Sequence, residues 1–598
     1  MSLRGFLDYT FDVQNILRKR RALRSELVQQ QGLTDIRVAI LGGSTTQEIR
    51  SILELFLLHN GFRPEFFESE YGKFFEDAVV DDSALRDFRP QVAIVHTTQL
   101  NLLNAPAPFT PADEVEQSFK AECARFQSIW RNLTQSLGCV VIQNNFDMPA
   151  TRSLGGLDST ELFGRTHFLL RLNLEFARAA RENSKLIIND IHYLSCRLGL
   201  DQWFDPDCWF SYKMAVSPAS TVFLAHALAR LVSAALGRTR KCLVLDLDNT
   251  LWGGVIGDDG ATGIKIGKET PQGEAFTSFQ QYCRELAQRG ILLAACSKNE
   301  PESARAGLSH PDSVLTVESF SAIQANWDPK PGNVARIARD LNIGLDSLVF
   351  VDDNPAERAF VRGQLPDVAV PEVGSEVSKF ARYLDRAGFF EVVALSRDDA
   401  QRGAMYAENA KRTALQSQFA DYQEFLESLS MQAEIGEFSP VYLERICQLT
   451  NKTNQFNLTT KRYTLAEMEA MAASPECVTL YGRLKDKFGD NGLVSVLAAR
   501  LKGRELHIEL WLMSCRVLKR DMEAAMLDAL VSRAAERGAT DIIGYYYRTA
   551  KNGMVAEHYR SLGFEPESLE QDGSRSTWRL AIGKYMPRNK SIKEIIHA

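Results

Sequence analysis

The feature that most constrains this chain is an apolar run, Cys242–Leu247, which carries two carboxylates, Asp246 and Asp248, at its C-terminal end. Such a run is typical of a buried parallel strand. Alternate residues of a strand share a face, so the two acids are expected to converge on one point. Carboxylates that lie this close are usually held by a cation or share a proton. A simpler interpretation, a strand end followed by a polar turn, stays open on this evidence alone.

Polar residues follow further apolar runs in the same part of the chain. Ser297 ends a second run, Lys330 begins a helical stretch, and Asp352 and Asp353 directly follow the predicted strand Leu348–Val351. Sites in open α/β sheets form outside the carboxyl ends of the strands. The order acid pair, hydroxyl, lysine, acid pair therefore predicts a single site at one edge of an α/β sheet.

These residues, in this order, resemble the haloacid-dehalogenase (HAD) phosphotransferase superfamily. The resemblance implies that Asp246 is the nucleophile that forms an aspartyl-phosphate and that Asp248 is the general acid/base. It implies a phosphate-binding set, which is Thr250, Ser297, Lys298 and Lys330. It also implies Mg²⁺ ligands, which are Asp246, the backbone carbonyl of Asp248, and Asp352 or Asp353. The chemistry agrees, because an anionic nucleophile needs a cation before it approaches a phosphate, and Mg²⁺ prefers oxygen ligands.

The spacing of these motifs limits what can cover the site. Between Asp248 and Ser297 there is room for a flap, Gly253–Gly260, and one helix, and little spare chain lies between Ser297 and Lys330. An independent lid domain does not fit in either gap. The site is therefore expected to be open unless neighbouring domains cover it, which favours a bulky or tethered substrate.

Composition bounds the class of protein. The chain has 598 residues, a length that suggests three or four domains, and its 45% hydrophobic and 24% charged residues are ordinary for a soluble globular protein. With a net charge of −7, it lacks the excess of basic residues that is typical of proteins that bind nucleic acid. No signal peptide and no apolar run of membrane-spanning length are evident. The 10 cysteines lack C-x-x-C spacing, so neither a zinc cluster nor a disulfide scaffold is predicted. We therefore expect the protein in a reducing compartment, the cytoplasm.

The order of predicted elements indicates an α/β fold in three domains. The first is a flavodoxin-type unit, with predicted strands at Arg37–Leu41, Gln91–His96, Cys139–Ile142 and Lys185–Asn189. The second is a Rossmann-like HAD domain without a large cap, and the third is an α+β domain. The predicted boundaries are 1–35 for a helical lead-in, 36–238 for the first domain, 239–390 for the HAD domain, 391–430 for a helical connector and 431–598 for the last domain.

The first domain places Ser44 in the turn after its first strand, which is the nucleophile position of the SGNH hydrolases that this domain resembles. That superfamily supplies its base from a late D-x-x-H element. The matching stretch, Phe204–Lys213, contains no histidine, and His192 and His226 lie elsewhere, the latter in an apolar helix where a core role is expected. Without a base a serine hydroxyl is a poor nucleophile, so a non-catalytic scaffold or docking role is expected.

The last domain ends on Asn552 and Tyr559 in a pattern that resembles the N-acetyltransferase (GNAT) fold. That fold usually cradles a pyrophosphate in a glycine-bearing turn that begins with arginine. Here Arg516 is kept, but Lys519 and Asp521 replace the small residues of that turn. Acetyl-CoA use is therefore doubtful, and a carrier-bound phosphopantetheine, with one phosphate, is easier to accept.

The three domains together, with four long motifs, resemble the FkbH-like family. The motifs are Leu243–Gly257, Asn326–Lys330, Val349–Arg358 and Asn451–Thr459. The resemblance implies that the protein takes a glyceryl group from 1,3-bisphosphoglycerate, with loss of phosphate. The acyl group would be loaded on the phosphopantetheine thiol of an acyl carrier protein, for polyketide or related biosynthesis.

A cysteine could carry the acyl group in transit, because a thiol can open an acyl phosphate. Cys296 directly precedes Ser297, where neighbouring cations would lower its pKa, although a small buried residue in a strand is an equally open interpretation. Cys515 is the second candidate. The residues expected to contact the acyl group or pantetheine are Asn454, Asn457, Arg516, Asn552 and Tyr559.

Two other functions remain open at this point. One is a Mg²⁺-dependent phosphatase that acts on a macromolecular or tethered phosphate, with the flanking domains as lids. The other is a non-enzymatic scaffold for carrier docking. The intact set of acids, hydroxyl and lysine argues against the scaffold. No nucleic acid or membrane is expected as a partner.

Overall fold

The computed structural model describes residues 3–80, 83–395, 405–406, 408–409, 412, 415–416, 418–419, 421–453, 455–514, 517–549, 552–570 and 573–597. The chain divides into two compact units. The first comprises residues 1–236 with 391–394, and the second comprises residues 237–390 with 395–598.

A five-stranded parallel sheet forms the centre of the first unit, in the order β2-β1-β3-β4-β5. This order is that of flavodoxin-type doubly wound sheets, as predicted. Four of its strands were predicted, and β2 was not. The strands are β1 Thr34–Gly42, β2 Phe62–Glu68, β3 Val92–His96, β4 Val140–Asn144 and β5 Leu186–Asn189.

Helices cover both faces of this sheet. They are α1 Val13–Leu27, α2 Gln47–His59, α3 Phe74–Val79, α4 Ser83–Phe88, α5 Ala112–Arg131, α6 Arg165–Glu182, α7 Ile191–Leu198, α8 Leu200–Trp203, α9 Pro206–Tyr212 and α10 Pro218–Ala235. One face packs on α1, α2 and α10, and the other on α3, α5 and α6. The predicted lead-in is thus part of this unit's core, since Leu23 and Leu27 of α1 are fully buried.

Helix α10 corrects one expectation from the sequence. By length and composition it is apolar enough to cross a membrane, yet 61% of it is buried inside the protein. Its apolar residues pack on the sheet and on α2, as in the core helix of a globular unit.

A row of polar side chains crosses the carboxyl end of the first sheet. Asn144 Nδ2 lies 2.8 Å from His96 Nδ1, and Asn189 donates to Asn144 Oδ1 at 2.7 Å. The three residues end β3, β4 and β5, and they are in register. All three are buried, and burial lowers the pKa of His96 to about 4.

A four-stranded parallel sheet, in the order β8-β7-β6-β9, begins the second unit. Its strands are β6 Cys242–Leu245, β7 Leu292–Ser297, β8 Ala322–Ala325 and β9 Leu348–Val351. Three of these match the predicted apolar runs, and the edge strand β8 was not predicted. Its helices are α11 Ile256–Gly263, α12 Pro271–Gln288, α13 Pro301–Leu308, α14 Lys330–Asp340, α15 Pro355–Gln364 and α16 Phe380–Ala387.

The connections in this sheet leave no space for a lid domain. The flap after β6 is closed by an isolated bridge between Gly253 and Lys265 and contains only α11. Every residue from 249 to 329 is described, and none of them forms a further sheet. The capless arrangement predicted from the spacing is therefore what the chain adopts here.

The rest of the second unit is an eight-stranded, mostly antiparallel sheet in the order β15-β16-β14-β13-β12-β11-β10-β17. The strands are β10 Gln432–Gly436, β11 Cys477–Asp486, β12 Gly489–Lys502, β13 Glu505–Met513, β14 Asp541–Tyr547, β15 Glu565–Leu569, β16 Arg575–Ala581 and β17 Glu594–His597. Its helices are α17 Tyr422–Ser428, α18 Pro440–Lys452, α19 Leu465–Ala473, α20 Met522–Glu536 and α21 His558–Ser561. This is the α+β unit expected at the C-terminal end.

Carboxylates of α20 and its preceding turn hold the C-terminal segment against this sheet. Asp521 accepts hydrogen bonds from the backbone N–H groups of Lys590 and Ser591, both at 2.8 Å. Asp528, in the second turn of α20, accepts from the backbone of Arg588 and Asn589. The chain then continues into β17, which pairs with β10.

Candidate active site

Three carboxylates meet at the carboxyl ends of β6 and β9. Asp246 directly follows β6, and its backbone N–H donates to the carbonyl of Val351, so the two strand ends are held together. Asp352 and Asp353 follow β9. One oxygen from each of these three side chains lies within 4.8 Å of the others. The convergence of the two acid pairs predicted from the sequence is therefore present for these residues.

Lys330 supplies the positive charge of this cluster. It is the first residue of α14, which begins there because Pro329 and Pro331 favour the first turn of a helix. Its Nζ lies 2.9 Å from Asp246 Oδ1 and 2.5 Å from Asp352 Oδ2. Burial alone would lower the pKa of Lys330, but the two carboxylates outweigh it and hold that pKa above its ordinary value.

Buried hydrogen bonds fix the loop after β9. Arg358 donates through Nη1 to the carbonyls of Asp352 and Asp353, at 2.8 and 2.7 Å. Thr250 exchanges hydrogen bonds with Asp353, its Oγ1 accepting from the backbone N–H at 3.2 Å. Thr250 thus ties the loop after β6 to the loop after β9, and its predicted contact with phosphate stays a prediction.

Ser297 and Asp248 are joined by an amide that the sequence did not single out. Asn299 Nδ2 donates to Asp248 Oδ2 at 2.9 Å and to Ser297 Oγ at 3.2 Å. Burial raises the pKa of Asp246, and a hydrogen bond that Asp246 accepts from Ser297 opposes this rise. The second oxygen of Asp248 accepts from the indole of Trp252 at 2.9 Å and from the backbone of Ile256 at 3.1 Å.

Lys298 lies away from the acid cluster. Its Nζ pairs with Glu357 Oε1 at 2.6 Å, and 42% of its side chain is exposed. The predicted role in phosphate binding has no support from this position, because the ammonium is engaged with a carboxylate of α15. Lys330 is the cation that the fold places among the acids.

Cys296 faces the opposite side of the sheet from Ser297. Adjacent residues of a strand point to opposite faces, and the Cys296 thiol packs in the core beneath α14 with Val244 and Phe350. Burial raises the pKa of Cys296 to about 12, which is the reverse of the lowered pKa expected from the neighbouring cations. A protonated, inaccessible thiol removes the basis for Cys296 as the acyl carrier.

The three acids fit a divalent cation. Burial raises the pKa of Asp246, Asp352 and Asp353, and the charge of Asp246 raises that of Asp352 further. Lys330 offers one positive charge against three carboxyls. Buried oxygen ligands with an excess of negative charge are the donor set that Mg²⁺ prefers.

Two of the residues predicted to bind the acyl group, Asn552 and Asn457, make structural hydrogen bonds. Asn552 donates to the carbonyls of Asn457 and Tyr547, at 3.0 and 2.9 Å, and accepts from the backbone of Thr549. Asn457 accepts from the backbone of Thr460 at 2.8 Å. Asn552 therefore closes a loop against β14, and its ligand-binding role stays a prediction.

Tyr559 lies in the core of the last sheet rather than on a surface. Its ring packs against the backbone at Gly544, where a Cβ would come within 2.4 Å of it, and Trp578 and Phe564 lie close by. A substrate cannot reach the Tyr559 side chain in this position. Asn454, Cys515 and Arg516 lie outside the described residues, so their predicted roles are neither supported nor contradicted.

The turn that precedes α20 departs from a pyrophosphate cradle, as expected from its sequence. Lys519 and Asp521 both adopt left-handed φ angles, of 62° and 64°. The carboxylate of Asp521 is aimed at the backbone of residues 590 and 591, which it binds. This carboxylate makes no hydrogen bond to the first backbone N–H groups of α20.

Ser44 lies buried in the turn after β1. Its hydroxyl has no hydrogen-bond partner among the residues that the structure describes, so no base activates it there. The core role predicted for His226 is confirmed, because its ring packs against Phe11 and Phe56. His192 is placed at the start of α7, where its backbone N–H donates to Asn145.

Structural comparison gives the class of the site. The chain is similar to the N-terminal part of protein BF1531 from Bacteroides fragilis, which contains a phosphatase domain complexed with Mg. The identity is 28% and the TM-score 0.59, over 63% of this chain and 99% of that chain. With the acid cluster, this likeness defines an enzyme of the HAD phosphatase type.

The family is indicated by the first unit. Residues 37–232 match the family model of the FkbH N-terminal domain. This match, which covers the first unit alone, agrees with the resemblance to the FkbH-like family that the motifs indicate. No curated protein matches the chain.

Acetyltransferase structures are similar to a smaller share of the chain. The ribosomal-protein-S18-alanine N-acetyltransferase of Escherichia coli is 12% identical, with a TM-score of 0.20, over 25% of this chain and 94% of that chain. Ard1 of Thermoplasma volcanium is 19% identical, with a TM-score of 0.20, over 25% of this chain and 97% of that chain.

Proposed function

We propose that this protein takes a glyceryl group from 1,3-bisphosphoglycerate and loads it on the phosphopantetheine thiol of an acyl carrier protein, with removal of phosphate at the HAD-type site. The observation that carries the phosphate chemistry is the meeting of Asp246, Ser297, Lys330 and Asp352 at the carboxyl ends of adjacent parallel strands. The acyl transfer rests on the resemblance of the whole chain to the FkbH-like family.

Two phosphates must leave if a glyceryl group is to reach the carrier. In one step the carrier thiol attacks the carbonyl carbon, the carbon–oxygen bond to phosphate breaks, and the thiol proton is lost to solvent. In the other, a phosphate ester is hydrolysed. Phosphate is a good leaving group from the acyl carbon, whereas the ester oxygen leaves as an alcohol and needs a proton.

Asp246 supplies the nucleophile for the ester. One of its carboxylate oxygens forms a bond to phosphorus while the bond from phosphorus to the ester oxygen breaks. Asp248 gives a proton to the departing oxygen, and it later takes a proton from the water that hydrolyses the aspartyl-phosphate. Lys330 and Ser297 are placed to hold the phosphoryl oxygens, whose negative charge grows in the transition state.

Asp246, Asp352, Asp353 and the backbone carbonyl of Asp248 would hold Mg²⁺. When bound, this ion neutralises charge on the phosphoryl oxygens and on the nucleophile. Asp246 and Asp352 are buried, Asp353 is half-buried, and the three carboxylates are crowded, which matches such a requirement.

The test is to incubate the full chain with 1,3-bisphosphoglycerate, Mg²⁺ and a holo-carrier protein, and to weigh the intact carrier by mass spectrometry. A glyceryl adduct supports the proposal. Phosphate release without an adduct favours the second candidate, a Mg²⁺-dependent phosphatase for a macromolecular or tethered phosphate, for which the capless site is the specific observation. If neither appears, the scaffold interpretation gains support. Asp246→Asn is the matched negative control.

A further inference from the structure

The carboxylate of Asp248 is oriented by three donors from different segments. The amide of Asn299 holds one oxygen, while the indole of Trp252 and the backbone N–H of Ile256 hold the other. A side chain with three donors on two oxygens has a single orientation available. The general acid of this site is therefore fixed by its neighbours rather than free to rotate.

Asn299 has a second task, because its amide nitrogen also donates to Ser297. A single amide group thus sets the distance between a phosphate-binding hydroxyl and the acid that serves the leaving group. Asn299 is buried, with 3% of its surface exposed, and it leaves β7 two residues after Ser297. Because Asn299 is buried, water cannot take over its hydrogen bonds to Asp248 and Ser297.

Trp252 reaches Asp248 because α13 comes unusually close to it. A Cβ at Gly307 would lie 2.7 Å from the indole ring of Trp252 and 2.8 Å from Ile256. Both residues donate to Asp248. Gly307 therefore admits Trp252 and Ile256 to the positions from which they hold the acid.

We propose that Asn299 and Trp252 are positioning residues, which hold the Asp248 carboxyl in line with the leaving oxygen of a phosphoryl group bound at Ser297. This inference rests on the proposed function. Its consequence is selective: loss of either contact impairs substrates whose leaving group needs a proton, and largely spares those whose leaving group does not. A merely structural role would impair both kinds of substrate equally.

Two aryl phosphates separate these outcomes. Phenyl phosphate has a poor leaving group and 4-nitrophenyl phosphate a good one, and both are assayed with Mg²⁺ on the full chain. The measured quantity is the ratio of kcat/KM for phenyl phosphate to that for 4-nitrophenyl phosphate. Both values scale with the same amount of folded enzyme, so partial misfolding leaves the ratio unchanged.

We expect the ratio to fall by about tenfold or more in Asn299→Asp, which keeps the shape but removes the donors. Trp252→Phe and Gly307→Ala should lower it by roughly threefold, the latter without any change in a polar group. Glu300→Gln, next to Asn299 but bonded outward to Trp327, serves as the matched control and should keep the wild-type ratio.

An unchanged ratio in Asn299→Asp and in Gly307→Ala, with an active wild type, overturns the positioning role and leaves the phosphatase assignment intact. A wild type that releases no phosphate from either ester in the presence of Mg²⁺ instead contradicts the phosphate chemistry of the proposed function, and the inference falls with it. The two failures are therefore distinguishable.

Discussion

The ammonium of Lys330 lies 2.9 Å from the carboxylate of Asp246 in a site almost closed to solvent. An anionic nucleophile is thus paired with a fixed cation before any substrate binds. The same ammonium reaches Asp352, so one lysine connects the two strand ends that carry the acids. Removing it leaves buried like charges without compensation.

Lys330→Met should therefore destabilise the phosphatase domain by about 3 to 5 kcal/mol, the cost of breaking a buried pair by removing one partner. Because Mg²⁺ can offset the same charges, the loss in Tm should be larger in EDTA than in Mg²⁺. Thermal melts of the full chain under both conditions measure it. Lys298→Met, which removes an exposed pair with Glu357, should change Tm little in either buffer. An equal loss in Tm in EDTA and in Mg²⁺ would show that Lys330 does not compensate the charges that the metal compensates.

Asp246→Asn should abolish phosphate release while the fold is kept, because the amide preserves the shape but not the nucleophile. We expect a loss of about 10³-fold or more, measured as hydrolysis of the phosphate ester of 1,3-bisphosphoglycerate, the step assigned to Asp246. The matched control is Asp328→Asn. Asp328 is an exposed acid in the loop before α14, and it pairs with Arg336 of that helix. Residual activity near the wild-type level would show that another group forms the covalent bond.

Mg²⁺ should raise the thermal stability of the wild type, since an ion that binds only the folded state stabilises it by about 2.7 kcal/mol at a hundred times its Kd. Asp352→Asn should bind Mg²⁺ more weakly and lose most of this gain. Calorimetry against MgCl₂, with CaCl₂ as the comparison ion, measures it. A shift in Asp352→Asn equal to that of the wild type would place the metal elsewhere.

Cys296→Ala should leave the loading of a carrier protein unchanged, because the thiol is buried on the far side of β7 from the site. The expected cost is in stability alone, on the order of 1 kcal/mol for a small cavity. The intact mass of the carrier after incubation gives the first quantity, and urea unfolding gives the second. Loss of the adduct in a folded Cys296→Ala protein would restore the thiol relay.

The local stability of the first unit should fall as the solution is acidified. Burial holds the pKa of His96 at about 4, against 6.5 in the unfolded chain, so below pH 6.5 the unfolded chain takes up a proton that the folded one does not. The stabilisation is complete above pH 6.5 and is lost towards pH 4, by on the order of 3 kcal/mol. Hydrogen exchange of the β3 segment follows it. His96→Gln should flatten the dependence, whereas a slope unchanged by this substitution would assign it to other groups.

The sequence predicted the strands that are buried on both faces, because continuous apolar runs such as Cys242–Leu247 admit few other structures. The edge strands β2 and β8 were missed for the opposite reason: they are partly exposed, and β2 contains Pro64, so neither forms such a run. The acids, hydroxyl and lysine of the site were predicted because each ends a strand or begins a helix.

What the sequence did not reveal is how those groups are held. Asn299 lies outside the four motifs and Arg358 only ends one of them, and the contacts of both depend on which loops the fold brings together. The lowered pKa expected for Cys296 was wrong, and strand alternation, which puts Cys296 and Ser297 on opposite faces, could have shown this. The expectation weighed the nearby charges and neglected the direction of the side chain.

The pairing of β17 with β10 makes the final residues a shield for the rest of the large sheet. A protein cut after Tyr585 would lose the backbone groups held by Asp521 and Asp528, and the outer N–H and C=O groups of β10 would stand open to water. Open strand edges recruit other chains. Shortened versions of this protein would therefore self-associate through β10, and their poor solubility would say nothing about catalysis.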